Sequence, residues 1–93
     1  MGASDIIAQK LTAAFAPVEL SVEDESATHA GHVGSRPEGE THFRVRIVSN
    51  AFEGVSSVER HRRVYAVLAD QLKTHVHALS LTTLTPAEVW NEH

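Results

Sequence analysis

Seven histidines and no cysteine in 93 residues set the chemistry that this chain can perform by itself. Without a thiolate it forms no disulfide, offers no sulfur nucleophile and cannot build a self-sufficient zinc or iron–sulfur centre on sulfur ligands. Any metal must lean on imidazole, on carboxylate or on ligands from a partner. The histidines His29, His32, His42 and His61 lie close together in the sequence, and His29 and His32 are three residues apart, so they could bind a metal together or substitute for one another. The carboxylates are less promising. Glu23, Asp24 and Glu25 are consecutive, so they cannot all converge on one substrate, and a solvated charge run explains them. Ser26 with several histidines resembles a triad only on paper, because no nucleophile elbow, P-loop or HExxH spacing accompanies it. The expectation is a protein that is not an enzyme.

These side chains need elements to position them. The length suits one domain, residues 1–93, and 42% hydrophobic with 22% charged residues is ordinary globular usage. Ser4 is placed to cap a helix over about residues 4–15, with Ile7, Leu11, Ala14 and Phe15 at helical spacing and Pro17 ending it. Val18, Leu20 and Val22 alternate with polar residues as in a half-buried strand. Residues 24–40 lose periodicity and carry Gly31, Gly34, Pro37 and Gly39, which predicts a long loop holding His29 and His32. Phe43, Val45 and Ile47 alternate with Arg44 and Arg46, a second strand with a basic outer face. After a turn over 50–54, Ser56 and Glu59 make a capping box for a long helix with Val58, His61, Tyr65, Leu68 and Leu72 as its apolar stripe. Residues 76–82 alternate again, with His77, Leu79 and Leu81 sharing a face. Thr85-Pro86-Ala87-Glu88 then caps a short last helix bearing Trp90. A helix between strands two and three makes those strands parallel, while strands one and two can pair antiparallel. The expected fold is α+β: a three-stranded mixed sheet with helices on one face.

Several strings resemble the BolA family in identity, order and spacing: Glu25-Ser26-x-x-His29, Gly39-Glu40-Thr41-His42-Phe43, Phe52-Glu53-Gly54, Arg60-His61-Arg62-x-Val64-Tyr65, Val76-His77-Ala78-Leu79 and Thr85-Pro86-x-Glu88. The resemblance spans nearly the whole chain. It implies a class II KH-like fold and partnership with a monothiol glutaredoxin, the two proteins bridging a [2Fe-2S] cluster. Imidazole can replace thiolate on one iron, as in Rieske-type centres, provided that a partner supplies sulfur. In the family a glutaredoxin cysteine and a glutathione thiol serve one side, and the BolA side offers the histidine of the His-Ala-Leu string plus a histidine or cysteine from the loop after strand one, positions held here by His77 and His29. His32 remains an alternative loop donor. His42 either approaches the cluster or hydrogen-bonds at the sheet edge, the second being favoured, and His61 reads as a satisfied core histidine. No cofactor is expected in the isolated chain, which is expected to be a monomer or weak homodimer.

The alternative is a DNA-binding regulator. The net charge is −4, which argues against binding nucleic acid through overall charge, yet six of the eight cationic residues lie between Arg36 and Arg63. A helix bearing Arg60, Arg62 and Arg63, extended by Arg44 and Arg46, suits the helix-turn-helix-like regulator role that the resemblance also implies. The competing reading is a solvated face paired with Glu53, Glu59 and Asp70. Gly31-His32-Val33-Gly34 has the letters of a KH backbone clamp but lies between two strands, the wrong place for one. No apolar run reaches the ~18 residues of a membrane span, and the N-terminus lacks a targeting pattern, so a soluble, cytoplasmic protein is expected.

Overall fold

The computed structural model describes residues 2–25, 42–74, 76 and 78–91. Along them run α1 (Ala3–Phe15), β1 (Glu19–Asp24), β2 (His42–Val48), a 3-10 turn (Asn50–Phe52), α2 (Ser57–Val67), α3 (Ala69–Thr74), β3 (Ala78–Leu84) and α4 (Pro86–Asn91). The sheet order is β1-β2-β3. β1 pairs antiparallel with β2, and β3 pairs parallel with it, as the intervening helices require.

Period-two patterning decides which face is buried. Phe43, Val45 and Ile47 of β2 are fully enclosed. In register with them stand Val22 and Leu20 of β1 and Leu79 and Leu81 of β3, all packed on the same core. Ala3, Ile7 and Leu11 of α1, with Val64 and Leu68 from the second helical segment, close that core from above. The opposite face of the sheet is polar. There Arg46 Nε donates to Glu19 Oε1 at 3.0 Å, and Arg44 Nη2 lies 3.1 Å from Glu25 Oε2.

Three details differ from the sequence expectation. The N-cap of α1 is Gly2 rather than Ser4: its backbone N–H donates to the Asp5 carboxylate at 3.3 Å. That carboxylate also sits in the first turn, where the helix dipole favours negative charge. Ala14, expected in the apolar stripe of α1, is exposed. The long helix is interrupted at Leu68, and its buried positions are Arg60, Val64, Leu68 and Gln71, whereas Val58 is 63% exposed and Tyr65 39%. The apolar stripe is therefore rotated from Val58–Tyr65 to a ridge that starts on a buried arginine. His61 stands beside this ridge, half-buried rather than in the core.

Both downstream N-caps form, the first as the serine half of its expected box: Ser56 Oγ accepts the Glu59 N–H at 3.2 Å, while the Glu59 carboxylate stands against Arg62 and Arg63. At α4 the box is reciprocal: Glu88 N donates to Thr85 Oγ1 at 3.2 Å, and Thr85 N donates to Glu88 Oε1 at 2.8 Å.

Candidate functional site

Pairing directions bring three chain segments to one end of the sheet. Asp24, last in β1, is opposite Phe43, and His42, first in β2, is opposite Ala78, first in β3. The segment bearing His29 and His32 follows Glu25 and ends at β2, and His77 directly precedes Ala78 in the sequence. His29, His32 and His77 lie outside the described residues, so their side chains are not described. His42 is half-buried at this end. Among the described residues no group of three or more His, Cys, Asp or Glu side chains could hold a metal ion. Glu25, read from sequence as part of a solvated acidic run, engages Arg44 here.

The other concentration of chemistry surrounds Arg60, and it corrects an expectation. Arg60 is 8% exposed. Its Nε donates to the Val55 carbonyl at 2.8 Å, and its Nη1 to the Thr83 carbonyl at 3.2 Å. The same Nη1 donates to Glu88 Oε1 at 2.6 Å, while Nη2 donates to Oε2 at 3.1 Å, a two-pronged charge-assisted pair. The guanidinium also stands 5.9 Å from the centre of the Phe52 ring. Arg60 is therefore not presented to solvent as a phosphate contact: its hydrogen bonds join α2 to Val55 just before it, to the end of β3 and to α4, and its guanidinium lies over Phe52 of the 3-10 turn. These bonds, with the Thr85 N–H, hold the Glu88 carboxyl at a pKa of about 2, below its ordinary 4.5.

The remaining arginines divide by face. Arg62 and Arg63 are exposed on α2, with Glu59 at 3.9 Å and 3.4 Å. Glu59 is thus the carboxylate that answers them, as expected, whereas Asp70 lies 3.9 Å from Lys10 instead. Arg44 and Arg46 lie on the open sheet face, each with its own carboxylate, apart from the helical pair in the fold. The Arg60–Glu88 pairing lies outside the sequence expectation. The i, i+4, i+8 series Arg60–Val64–Leu68, which places Arg60 on the buried ridge, was the available signal.

A three-stranded mixed sheet covered by helices on one face, with a polar opposite face, defines an α+β domain. The chain belongs to the BolA-like protein family, whose model matches residues 11–88. It is 54% identical over 89% of its length to SufE-like protein 1, chloroplastic/mitochondrial, of Arabidopsis thaliana. It is 49% identical over 88% of its length to the DNA-binding transcriptional regulator BolA of Escherichia coli, covering 74% of that protein. The BolA domain of SufE1 from Arabidopsis thaliana superposes with a TM-score of 0.81 at 52% identity, covering 95% of this chain and 98% of that one. The chain spans 24% of the plant SufE-like protein's length, and 51% and 60% of two further BolA-like relatives. No helix among the described residues is long and apolar enough to cross a membrane.

Proposed function

We propose that this chain is a non-enzymatic adaptor that binds a monothiol glutaredoxin and shares a [2Fe-2S] cluster with it, in cluster assembly and transfer or in iron sensing. On this side the ligands are His77 and the loop histidine His29, with His32 as the alternative. The partner's cysteine and glutathione provide the sulfur that the chain lacks. The observation that carries the reading is the convergence of the end of β1, the start of β2 and the start of β3 at one sheet end. Membership of the family supports it. The bridging cluster, when bound, supplies a redox-active and transferable iron–sulfur unit. The chain's own part is to present imidazoles from a fixed sheet end. Co-purification with a monothiol glutaredoxin tests this reading: a coloured heterocomplex is expected, with this protein colourless alone, and failure to bind any such glutaredoxin, with or without cluster, refutes it.

The second reading, DNA binding, is favoured by the name of the Escherichia coli relative and by the exposure of Arg62 and Arg63. With Arg60 buried in internal bonds, the helix offers two arginines to phosphate rather than three.

A further inference from the structure

The sheet ends in two unlike edges. β1 carries Glu19, Glu23 and Asp24, all exposed, so a second strand of the same kind would set carboxylate against carboxylate. The seven residues of β3, Ala78–Leu84, contain no charge and no proline, the usual devices by which proteins discourage strand addition. Which β3 groups face outward follows from one bond. Ser49 N donates to the Leu84 carbonyl at 2.9 Å, so Leu84, and with it Thr82 and Ser80, turns its backbone groups toward the neighbouring strand. Thr83, Leu81 and Leu79 therefore turn theirs away. The Arg60 contact to the Thr83 carbonyl agrees with this parity and occupies that end of the edge. The backbone groups of Leu79 and Leu81 are left pointing out of the edge while their side chains pack on the core, and in the described sheet no strand lies beyond them.

We infer that the β3 edge pairs with the same edge of a second copy of this chain, antiparallel about a two-fold axis at Ser80. In that register Leu79 of each copy is opposite Leu81 of the other, and both pairs are of the kind that exchange two backbone hydrogen bonds. Ser80 faces Ser80 across the axis, and Ala78 faces Thr82, so no charge meets a like charge. The arrangement is isologous and closes after two copies. The three-stranded sheet becomes one continuous sheet twice as wide. Because only residues 79–81 pair, while Arg60 holds Thr83, the dimer is weak and concentration-dependent. This inference stands apart from the glutaredoxin reading.

Ser80 is exposed on the polar face, so it can be changed without touching the core. Sedimentation of the full chain from micromolar to near-millimolar concentration is expected to show a monomer–dimer equilibrium. Ser80→Glu, which sets two carboxylates opposite each other, should weaken it at least about five-fold, the equivalent of about 1 kcal/mol for a like-charge cross-strand pair. An equimolar mixture of Ser80→Glu and Ser80→Lys chains should restore association. Ser80→Cys in this cysteine-free chain should cross-link to itself under copper–phenanthroline and air, with Glu23→Cys on the other edge as the control that does not. Far-ultraviolet dichroism confirms that each variant is folded. A wild-type chain that stays monomeric throughout overturns the inference, as does a dimer that is indifferent to Ser80→Glu or that cross-links only through position 23.

Discussion

Arg60 and Glu88, 28 residues apart, meet in a two-pronged pair with contacts of 2.6 and 3.1 Å, and the arginine is the buried member. The pair attaches α4 to α2, and Glu88 closes the capping box with Thr85 at the same time. Removing the cation takes this donor from the Val55 and Thr83 carbonyls and leaves the carboxylate with the Thr85 N–H but without its counter-charge. Arg60→Met, which keeps the apolar stem beside Phe52, is expected to lower folding stability by about 2–4 kcal/mol in urea titration. Glu88→Gln, at a half-exposed position, should cost less. A loss from Arg60→Met no larger than that from the exposed Arg62→Met would contradict the assigned role.

The same pair gives the fold a pH signature. Glu88 is held at about 2 in the folded state against 4.5 ordinarily, so the folded protein binds its proton more weakly than the unfolded chain does. Stability from this carboxylate is therefore fully present above about pH 4.5 and is lost as pH falls toward 2. Thermal melts of the wild type and Glu88→Gln between pH 6 and 2, roughly the window in which carboxylates titrate, should converge as the acid side is approached. Parallel curves across the whole range would show that the pair does not couple to folding.

Where α1 ends, Ala16 adopts a left-handed conformation with φ 45° and ψ 56°, and its N–H donates to the Thr12 carbonyl at 3.0 Å. An L-residue with a Cβ pays about 1–2 kcal/mol there, and glycine avoids most of that strain at some cost in unfolded-state entropy. Ala16→Gly is expected to stabilise the protein by up to about 1 kcal/mol, or roughly 4–8 °C in Tm for a domain of this size. A lower Tm would mean that the Ala16 side chain contributes packing that outweighs its strain.

What the sequence disclosed and what it concealed follow the range of the interactions. The faces of β2 and the Thr85–Glu88 box are set by residues within a few positions of one another, and both appear in the structure as read. The orientation of the second helical segment is set from 28 residues away, because Glu88 makes it favourable to bury Arg60. A reading that sends every arginine to solvent therefore rotates the helix and places Val58 and Tyr65 inward, where they are not. The sheet end where the end of β1 meets the starts of β2 and β3 was legible only as topology, through the strand order and the parallel crossover. Ser49 is legible only in part. Its hydroxyl accepts the Ala51 N–H at 3.0 Å as a local cap of the 3-10 turn, but it also donates to the Phe15 carbonyl at 2.6 Å, tying that turn to the end of α1 across 34 residues that no local pattern connects.

The DNA reading now makes a narrower prediction. If duplex binding occurs through α2, Arg62→Glu and Arg63→Glu should weaken it and flatten its salt dependence, each lost phosphate contact reducing the logarithmic slope by about 0.9. Arg60→Met should act only through stability. Binding that is unchanged in both charge-reversed variants would remove α2 from any nucleic-acid surface.

The ligand assignment gives the sharpest test of the proposed cluster. β3 begins at Ala78, whose register with His42 fixes the backbone one residue after His77, whereas His29 and His32 belong to the glycine-bearing segment between β1 and β2. A donor next to a fixed strand is harder to replace than one for which a neighbour three residues away can substitute. In the reconstituted glutaredoxin heterocomplex, His77→Ala should therefore abolish or strongly alter the visible absorption and circular dichroism of the cluster. His29→Ala should destabilise the cluster more moderately, and His32→Ala should do little unless the two histidines interchange, in which case only the double variant shows the full loss. His42→Ala, at the sheet position favoured for a structural role, should leave the cluster spectrum in place. Glutaredoxin and glutathione are common to all four samples, so the differences report this chain alone, and far-ultraviolet dichroism reports folding separately. A folded His77→Ala protein that still binds glutaredoxin and keeps the wild-type cluster spectrum would refute the assignment of His77 while leaving the partnership intact.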